Sequence, residues 1–155
     1  IRLYIYGPQK PGDRECEIYS QALAQMLAAK SKIYIDVLIV SEFINTYARI
    51  RWGILGKPFG KFKNFRKSTD FKSIAQDITA DIGRIMSHCS RIDDGFDEMN
   101  TDDIFTEFAK GDSDFNDQIL ADLCIAKGLR FVTHDADFIN CGLPIITANK
   151  RLLST

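Results

Sequence analysis

The sequence predicts an α/β protein, specifically a three-layer α/β/α sandwich with a mostly parallel central sheet. Runs rich in β-branched and aromatic residues, typical of buried parallel strands, occur at 32–40, 130–134 and 143–147. Helical patterns lie before and between these runs, with apolar residues recurring every three or four positions. Strands that alternate with helices form parallel sheets covered by helices on both faces.

The length and composition are those of one folded domain. A chain of 155 residues is most simply a single domain, 1–155, that is large enough to bury a core. Hydrophobic residues at 45% and charged residues at 26% exclude a disordered chain. No apolar run approaches the roughly 20 residues that span a bilayer, so no membrane partner is expected. Scattered cysteines without metal-site spacing favour free thiols in a reducing cytoplasm.

In the first half, an amphipathic helix over 15–30 precedes the strand 32–40, which is apolar except at Asp36. Ser41 then has the chemistry of a helix N-cap. The helix predicted after it places apolar residues at helical spacing: Phe43, Tyr47, Ile50 and Ile54.

In the second half, two further helices are predicted, over 71–89 and 114–128. The first has an isoleucine stripe at four-residue spacing, and the second is closed by Gly128. The segment 53–67, which contains several glycines, is predicted to be a surface excursion and not a domain boundary.

The net charge of −1 conceals two oppositely charged regions. No acid occurs between Glu42 and Asp70, where seven residues are basic. From Asp93 to Asp117 ten acids accompany only Lys110. This asymmetry indicates one surface that binds a polyanion and another that binds cations.

Four acids are predicted to lie at the carboxyl ends of the strands, where open parallel sheets place their binding sites. Glu42 and Asp135 each follow a predicted strand, while Asp114 and Asp117 share the first turn of a helix. Such acids also serve as caps and turn residues, which is the simpler interpretation of each one alone. Together they predict a site for Mg²⁺ or Mn²⁺, because a divalent cation relieves carboxylate repulsion.

The segment "KPFGKFKNFRK" (57–67) interleaves cations with aromatic rings. Its cations are the predicted nucleic-acid-binding residues: Lys57, Lys61, Lys63, Arg66 and Lys67. Cations pair with phosphates and aromatic faces stack on unpaired bases. Alternatively, Phe59, Phe62 and Phe65 pack the excursion onto the domain, since their spacing of three also suits a helical core face. The sequence leaves both interpretations open.

Three motifs resemble the PIN-domain nucleases, including the toxin ribonucleases of bacterial toxin–antitoxin pairs. They are "VSEFIN" (40–45), "DFNDQILADLCIAKG" (114–128) and "FVTHDADF" (131–138), and "IITAN" (145–149) resembles the last strand of the family and its loop. The resemblance spans most of the chain. It matches the family's second, helix-borne and late acids to Glu42, Asp117 and Asp135, with Asp114 as an auxiliary acid.

The resemblance implies an endoribonuclease that hydrolyses RNA phosphodiester bonds with Mg²⁺ or Mn²⁺. Glu42, Asp117 and Asp135 would be its catalytic metal ligands, and Asp114 would lie in the second shell or at a second metal. The toxin relatives also imply a homodimer and an inhibitory antitoxin partner.

The chain departs from the family pattern at its start. The family opens with a strand that ends in a catalytic aspartate, whereas the first acid here is Asp13. Because "IRLYIYG" looks like the segment that follows that strand, we expect the first strand and first catalytic aspartate to lie upstream of Ile1. The missing acid motivates the alternative of a catalytically silent nucleic-acid-binding or scaffold domain. A phosphatase-type domain is a third hypothesis, with "DAD" (135–137) as its weak motif.

Overall fold

Helices contain most of the residues that this computed structural model describes, namely 14–111 and 114–154. The chain divides into two units, Ile1–Ile92 and Asp93–Thr155. Each unit combines helices with one pair of parallel strands. The predicted mixed α/β class is therefore confirmed, with a larger helical share than the sandwich prediction implied.

The described part of the first unit contains α1 (Arg14–Ala28), β1 (Tyr34–Ile35), α2 (Val37–Ile54), the single-turn α3 (Phe62–Phe65), α4 (Asp70–Met86) and β2 (Ser90–Arg91). Strands β1 and β2 are parallel, with Tyr34 opposite Ser90. The helices predicted over 15–30 and 71–89 correspond to α1 and α4, with ends that differ by one to three residues.

The strand predicted over 32–40 is wrong beyond Ile35, because α2 begins at Val37. Asp36, which is only 2% exposed, is the N-cap, and its side chain accepts a 2.7 Å hydrogen bond from the Leu38 amide. Ser41, the predicted cap, therefore lies inside the helix. The β-branched run is helical because one of its faces packs on the core, and tertiary packing overrides local propensity.

Replacing Asp36 with Ala should lower the free energy of unfolding by about 1–2 kcal/mol, because the first amides of α2 lose their acceptor. Ser41→Ala should cost less than about 0.5 kcal/mol, since that exposed hydroxyl caps nothing. Urea unfolding followed by the fluorescence of Trp52, the single tryptophan of the chain, measures both. A larger loss of stability in the Ser41 variant than in the Asp36 variant would show that Ser41 is the N-cap, as the sequence predicted.

The first unit is held by a core that joins β1, α2, α3 and α4. Its buried members include Ile35, Phe43 and Tyr47 from β1 and α2, and the isoleucine stripe of α4: Ile74, Ile78, Ile82 and Ile85. Tyr47 forms a hydrogen bond with Asp81 of α4, and burial followed by that carboxylate raises the tyrosine pKa. The predicted stripe is confirmed as a core face.

The described part of the second unit contains α5 (Thr101–Ala109), α6 (Phe115–Ala126), β3 (Phe131–Val132), a 3-10 helix (Ala136–Asn140), β4 (Ile145–Ile146) and the single-turn α7 (Lys150–Leu153). Strands β3 and β4 are parallel, with Phe131 opposite Ile145. Their core gathers Ala121, Cys124, Phe138 and Leu143.

The predicted helix 114–128 is confirmed as α6 together with its caps. Asp114 is the N-cap and accepts a 2.9 Å hydrogen bond from the Asn116 amide. At the other end, Gly128 adopts φ +61° and the Leu129 amide donates to the Cys124 carbonyl at 2.8 Å. This bond is typical of a Schellman motif, in which the residue after the helix adopts a left-handed conformation. Glycine is favoured at that position, which Gly128 occupies here.

Besides the short helices α3 and α7 and the 3-10 helix, α5 and β2 were not predicted from the sequence. Helix α5 lies within the acidic stretch, where Ile104 is its buried residue. This stretch has too few apolar residues for their periodicity to distinguish a helix from a solvated loop. Strand β2 is two residues long and polar, so its assignment depends on pairing with β1.

The strands in the described ranges form two separate two-stranded pairs, one in each unit. The runs predicted at 130–134 and 143–147 are confirmed as β3 and β4, shortened to two residues each. The single central sheet of the predicted sandwich is not found among residues 14–111 and 114–154. In the same ranges, no helix combines the length and apolarity that crossing a membrane requires.

Candidate functional site

One face of α2 carries three polar residues of functional interest. Glu42 is the sixth residue of the helix and is exposed, so it lies in the second turn and not in the predicted first turn. Asn45 and Arg49 follow it by three and seven residues, a spacing that places side chains on the same face of a helix. At about 1.5 Å per residue, they lie about 4.5 and 10.5 Å further along the axis.

Asn45 and Arg49 form one wall of a pocket of about 580 Å³ in the first unit. The other lining residues come from α3 and the segment after it: Phe62, Lys63, Arg66 and Lys67. Four of the six lining residues are cations and none is an acid. This volume falls within the range of about 300–1,000 Å³ that is typical of small-ligand sites.

The cations of this pocket are not neutralised by the described part of the chain. The ion pairs found there are Arg84 with Asp81 and Lys110 with Glu107, neither of which involves a lining residue. The pocket therefore presents net positive charge to any ligand that enters it.

Arg49 and Phe62 form a flat surface inside the pocket. The guanidinium carbon of Arg49 lies 4.7 Å from the Phe62 ring centroid, within cation–π distance. Phe62 also contacts Trp52, whose ring centroid is 5.5 Å away and whose indole N–H donates to the Pro58 carbonyl at 2.9 Å. These contacts hold the aromatic ring in place.

The structure separates the two interpretations of the phenylalanines in 57–67. Phe65 is fully buried at 0% exposure, with its ring 5.4 Å from Phe71, so it packs the excursion onto the core. Phe59 is 52% exposed, and Phe62 is half-buried and lines the pocket. Only Phe59 and Phe62 therefore have ring surface that a base could reach.

Of the five predicted nucleic-acid-binding cations, the pocket gathers Lys63, Arg66 and Lys67. The other two, Lys57 and Lys61, are exposed but are not among its lining residues. Lys57 lies beyond α2 with its ammonium nitrogen 6.0 Å from the Trp52 ring centroid.

Asp114 and Asp117 lie at the start of α6, as predicted. Asp114 is exposed and its carboxylate caps the helix, which confirms the simpler interpretation of that residue. Asp117 is the third residue of α6 and is half-buried. A carboxylate in the first turn is also stabilised by the helix dipole.

Asp135 follows β3, as predicted. Its carboxylate caps the 3-10 helix by accepting a 3.2 Å hydrogen bond from the Asp137 amide. The side-chain amide of Asn149, which follows β4, donates to the His134 carbonyl at 2.7 Å. The segments "VTHDADF" and "IITAN" therefore meet at the carboxyl ends of these two parallel strands. Within the second unit, both segments share the carboxyl edge of one two-stranded parallel pair.

The acids of the second unit raise the pKa values of their neighbours. Burial and then the Asp103 carboxylate raise the pKa of Asp122, which is five residues after Asp117 on α6. Burial raises the pKa of the Cys141 thiol, and Asp117 and Asp122 raise it further. Asp117 thus lies close enough to the β3–β4 loop for its charge to act there.

Glu42 belongs to the first unit, whereas Asp114, Asp117 and Asp135 belong to the second. Their donors are carboxylate oxygens, the type that Mg²⁺ and Mn²⁺ prefer. Across 14–111 and 114–154, however, no three His, Cys, Asp or Glu side chains form a group that could hold a metal ion. The structure places Asp114, Asp117 and Asp135 at the expected element ends and Glu42 one turn inside α2, without assembling a complete cage from the described residues.

The sequence prediction of binding residues omitted Asn45, Arg49 and Phe62 from the pocket. The signals were present, because Asn45 and Arg49 follow Glu42 at helical spacing within the predicted helix, and Phe62 is one of the rings considered for base stacking. Only the packing of α3 against α2 places Lys63 and Arg66 opposite Asn45 and Arg49.

No family model, curated protein or solved structure matches this chain. The resemblance to PIN-domain nucleases therefore depends on the sequence motifs alone.

Proposed function

We propose that the protein is a metal-dependent endoribonuclease of the PIN-domain type. The observation that carries this proposal is the face of α2 on which Glu42 lies in line with Asn45 and Arg49 of the cationic pocket. A carboxylate next to unpaired cations can serve a metal ion and a phosphodiester on one surface. The resemblance supplies the identity of the substrate, RNA.

In this proposal Glu42, Asp117 and Asp135 hold Mg²⁺ or Mn²⁺, and Asp114 supports them. When bound, the metal lowers the pKa of a coordinated water and stabilises charge on the phosphate. The chain itself binds the RNA backbone through the four cations of the pocket: Arg49, Lys63, Arg66 and Lys67. These positive charges offset the repulsion between carboxylates and the incoming phosphate.

The test is cleavage of an end-labelled single-stranded RNA by the complete protein in Mg²⁺, Mn²⁺, Ca²⁺ or EDTA. We expect cleavage in Mg²⁺ or Mn²⁺ and none in EDTA, because the carboxylates alone supply no Lewis acid. Restoring Mg²⁺ after EDTA should restore cleavage. Cleavage that persists in EDTA, or its absence in both metals, would contradict the proposal.

A nucleic-acid-binding domain without catalysis is the second candidate, and the cationic pocket favours it because that pocket can bind RNA without the acids. The two candidates predict the same binding and differ in metal-dependent cleavage.

The proposal has three further parts. They are a single-domain three-layer α/β/α sandwich with a mostly parallel sheet, inferred from chain length and strand–helix alternation; a homodimer with an antitoxin partner, implied by the resemblance; and a cytoplasmic location, inferred from the scattered cysteines. Parallel pairing in both units supports the first part.

A further inference from the structure

We infer that the pocket between α2 and α3 is a subsite for one nucleotide of single-stranded RNA. The inference rests on the proposed ribonuclease function for the identity of the polymer. It adds a defined binding site, with Arg49 and Asn45 as members that the basic segment alone did not indicate and Phe62 as the ring of that segment that lines the site.

The charge of the pocket selects a phosphate. Arg49, Lys63, Arg66 and Lys67 contribute four positive charges around one cavity, and none is paired with a described acid. Guanidinium groups form bidentate hydrogen bonds with phosphate oxygens, and lysine adds a point charge. Two arginines and two lysines therefore suit a phosphate of the RNA backbone.

The remaining lining residues select a nucleotide over a free phosphate. The exposed Arg49 guanidinium lies over the half-buried Phe62 ring at 4.7 Å, and Trp52 contacts the same ring, so a base can stack on the outer face of the guanidinium that Phe62 supports or on the part of the ring left exposed. Asn45 donates its amide N–H to the Ser41 carbonyl at 2.9 Å, which orients its side-chain oxygen to accept from a ribose hydroxyl or base N–H. Free phosphate offers neither a ring nor such a donor.

The unpaired state of the RNA follows from the same geometry. A base can stack on a protein aromatic ring or guanidinium only when it is not stacked in a duplex, and single strands are the form that aromatic platforms bind. Because Glu42 lies about 4.5 Å along α2 from Asn45, the nucleotide in the pocket would be a near neighbour of the phosphate that is cleaved.

The experiment measures the binding of a fluorescein-labelled oligouridylate to the complete protein in EDTA, where metal-dependent cleavage is absent. Fluorescence anisotropy gives the dissociation constant as a function of salt. Arg66→Gln should weaken binding about tenfold, because a hydrogen bond to a charged group is lost. The slope of the logarithm of the binding constant against the logarithm of salt concentration should also become shallower, by about 0.7 for each phosphate contact removed.

Lys72→Gln is the matched control, because Lys72 is an exposed cation of α4 outside the pocket. It should change the dissociation constant less than about twofold. Equal weakening by the Lys72 and Arg66 variants would overturn the subsite in favour of diffuse attraction to the whole surface.

Phe62→Leu tests the base separately, since leucine keeps apolar packing but removes the flat ring. It should weaken oligouridylate binding about fivefold or more, the loss of one stack. The concentration of inorganic phosphate that competes for the pocket should stay unchanged. Unchanged oligouridylate binding in this variant, or equal affinity for double-stranded DNA, would reduce the pocket to a phosphate site and overturn the inference.

The outcomes for the subsite and for the proposed function are distinguishable. If the pocket variants lose binding but the wild-type protein never cleaves RNA in Mg²⁺, the subsite stands and the ribonuclease proposal fails. If the protein cleaves RNA and the pocket variants bind and cleave as the wild type does, the ribonuclease proposal stands and the subsite fails.

Discussion

Glu42→Gln and Asp117→Asn should each reduce Mg²⁺-dependent RNA cleavage by more than about 100-fold while leaving the fold intact. Removal of an outer partner of a metal ligand already costs roughly 10- to 100-fold, and removal of a ligand itself should cost more. Each replacement is nearly isosteric and lies on a helix surface, exposed at Glu42 and half-buried at Asp117. The measurement is the initial rate of cleavage of a labelled RNA at saturating Mg²⁺.

Each variant has a control of the same chemical type. Asp122→Asn changes an acid five residues further along α6, and Glu17→Gln changes an exposed acid of α1. Both should cleave within about twofold of the wild-type rate, because neither is assigned to the site. If the Glu42 and Asp117 variants cleave RNA at the wild-type rate, these residues do not belong to the site. The same conclusion follows if the control variants lose as much activity.

Phe65→Ala should lower the free energy of unfolding by about 3–5 kcal/mol, the usual cost of deleting a buried aromatic ring. Phe65 has 0% exposure and packs between the rings of Phe59, Phe62 and Phe71 at centroid distances of 6.5, 6.3 and 5.4 Å. Its removal leaves a cavity beneath α3, the helix that presents Lys63 to the pocket. Urea unfolding followed by Trp52 fluorescence measures the loss in the first unit.

Phe59→Ala is the control for this prediction, because it removes the same ring from the same segment at a position that is 52% exposed. We expect a cost below about 1 kcal/mol, since most of that ring is already in water. Equal costs for the two variants would show that the segment 57–67 is anchored by something other than the burial of Phe65.

The helices with a long apolar stripe could be predicted from the sequence. In α4, four isoleucines at four-residue spacing can be buried together only on one helix face, and the core contains all four. Helix α6 was equally predictable, because the Asp114 carboxylate caps its start and Gly128, which lacks a Cβ, tolerates the left-handed backbone at its end. In both cases the information is local, since caps and stripes act within one element.

The run 32–40 shows where local information fails. Its residues favour a strand by intrinsic preference, yet only Tyr34 and Ile35 form one. The side chain of Asp36 accepts from the Leu38 amide and starts a helix whose Phe43 and Tyr47 reach the core. Strand and helix compete closely in such a run, so the choice depends on which face finds a partner.

Sequence alone determined which residues have suitable chemistry: the acids Glu42, Asp117 and Asp135, and the cations of 57–67. Tertiary structure alone decided which of them share a surface, because the packing of α3 on α2 brings Lys63 and Arg66 across from Arg49 and leaves Lys57 outside. The physical reason is that side-chain chemistry is a property of each residue, whereas a pocket depends on contacts between elements distant in the chain.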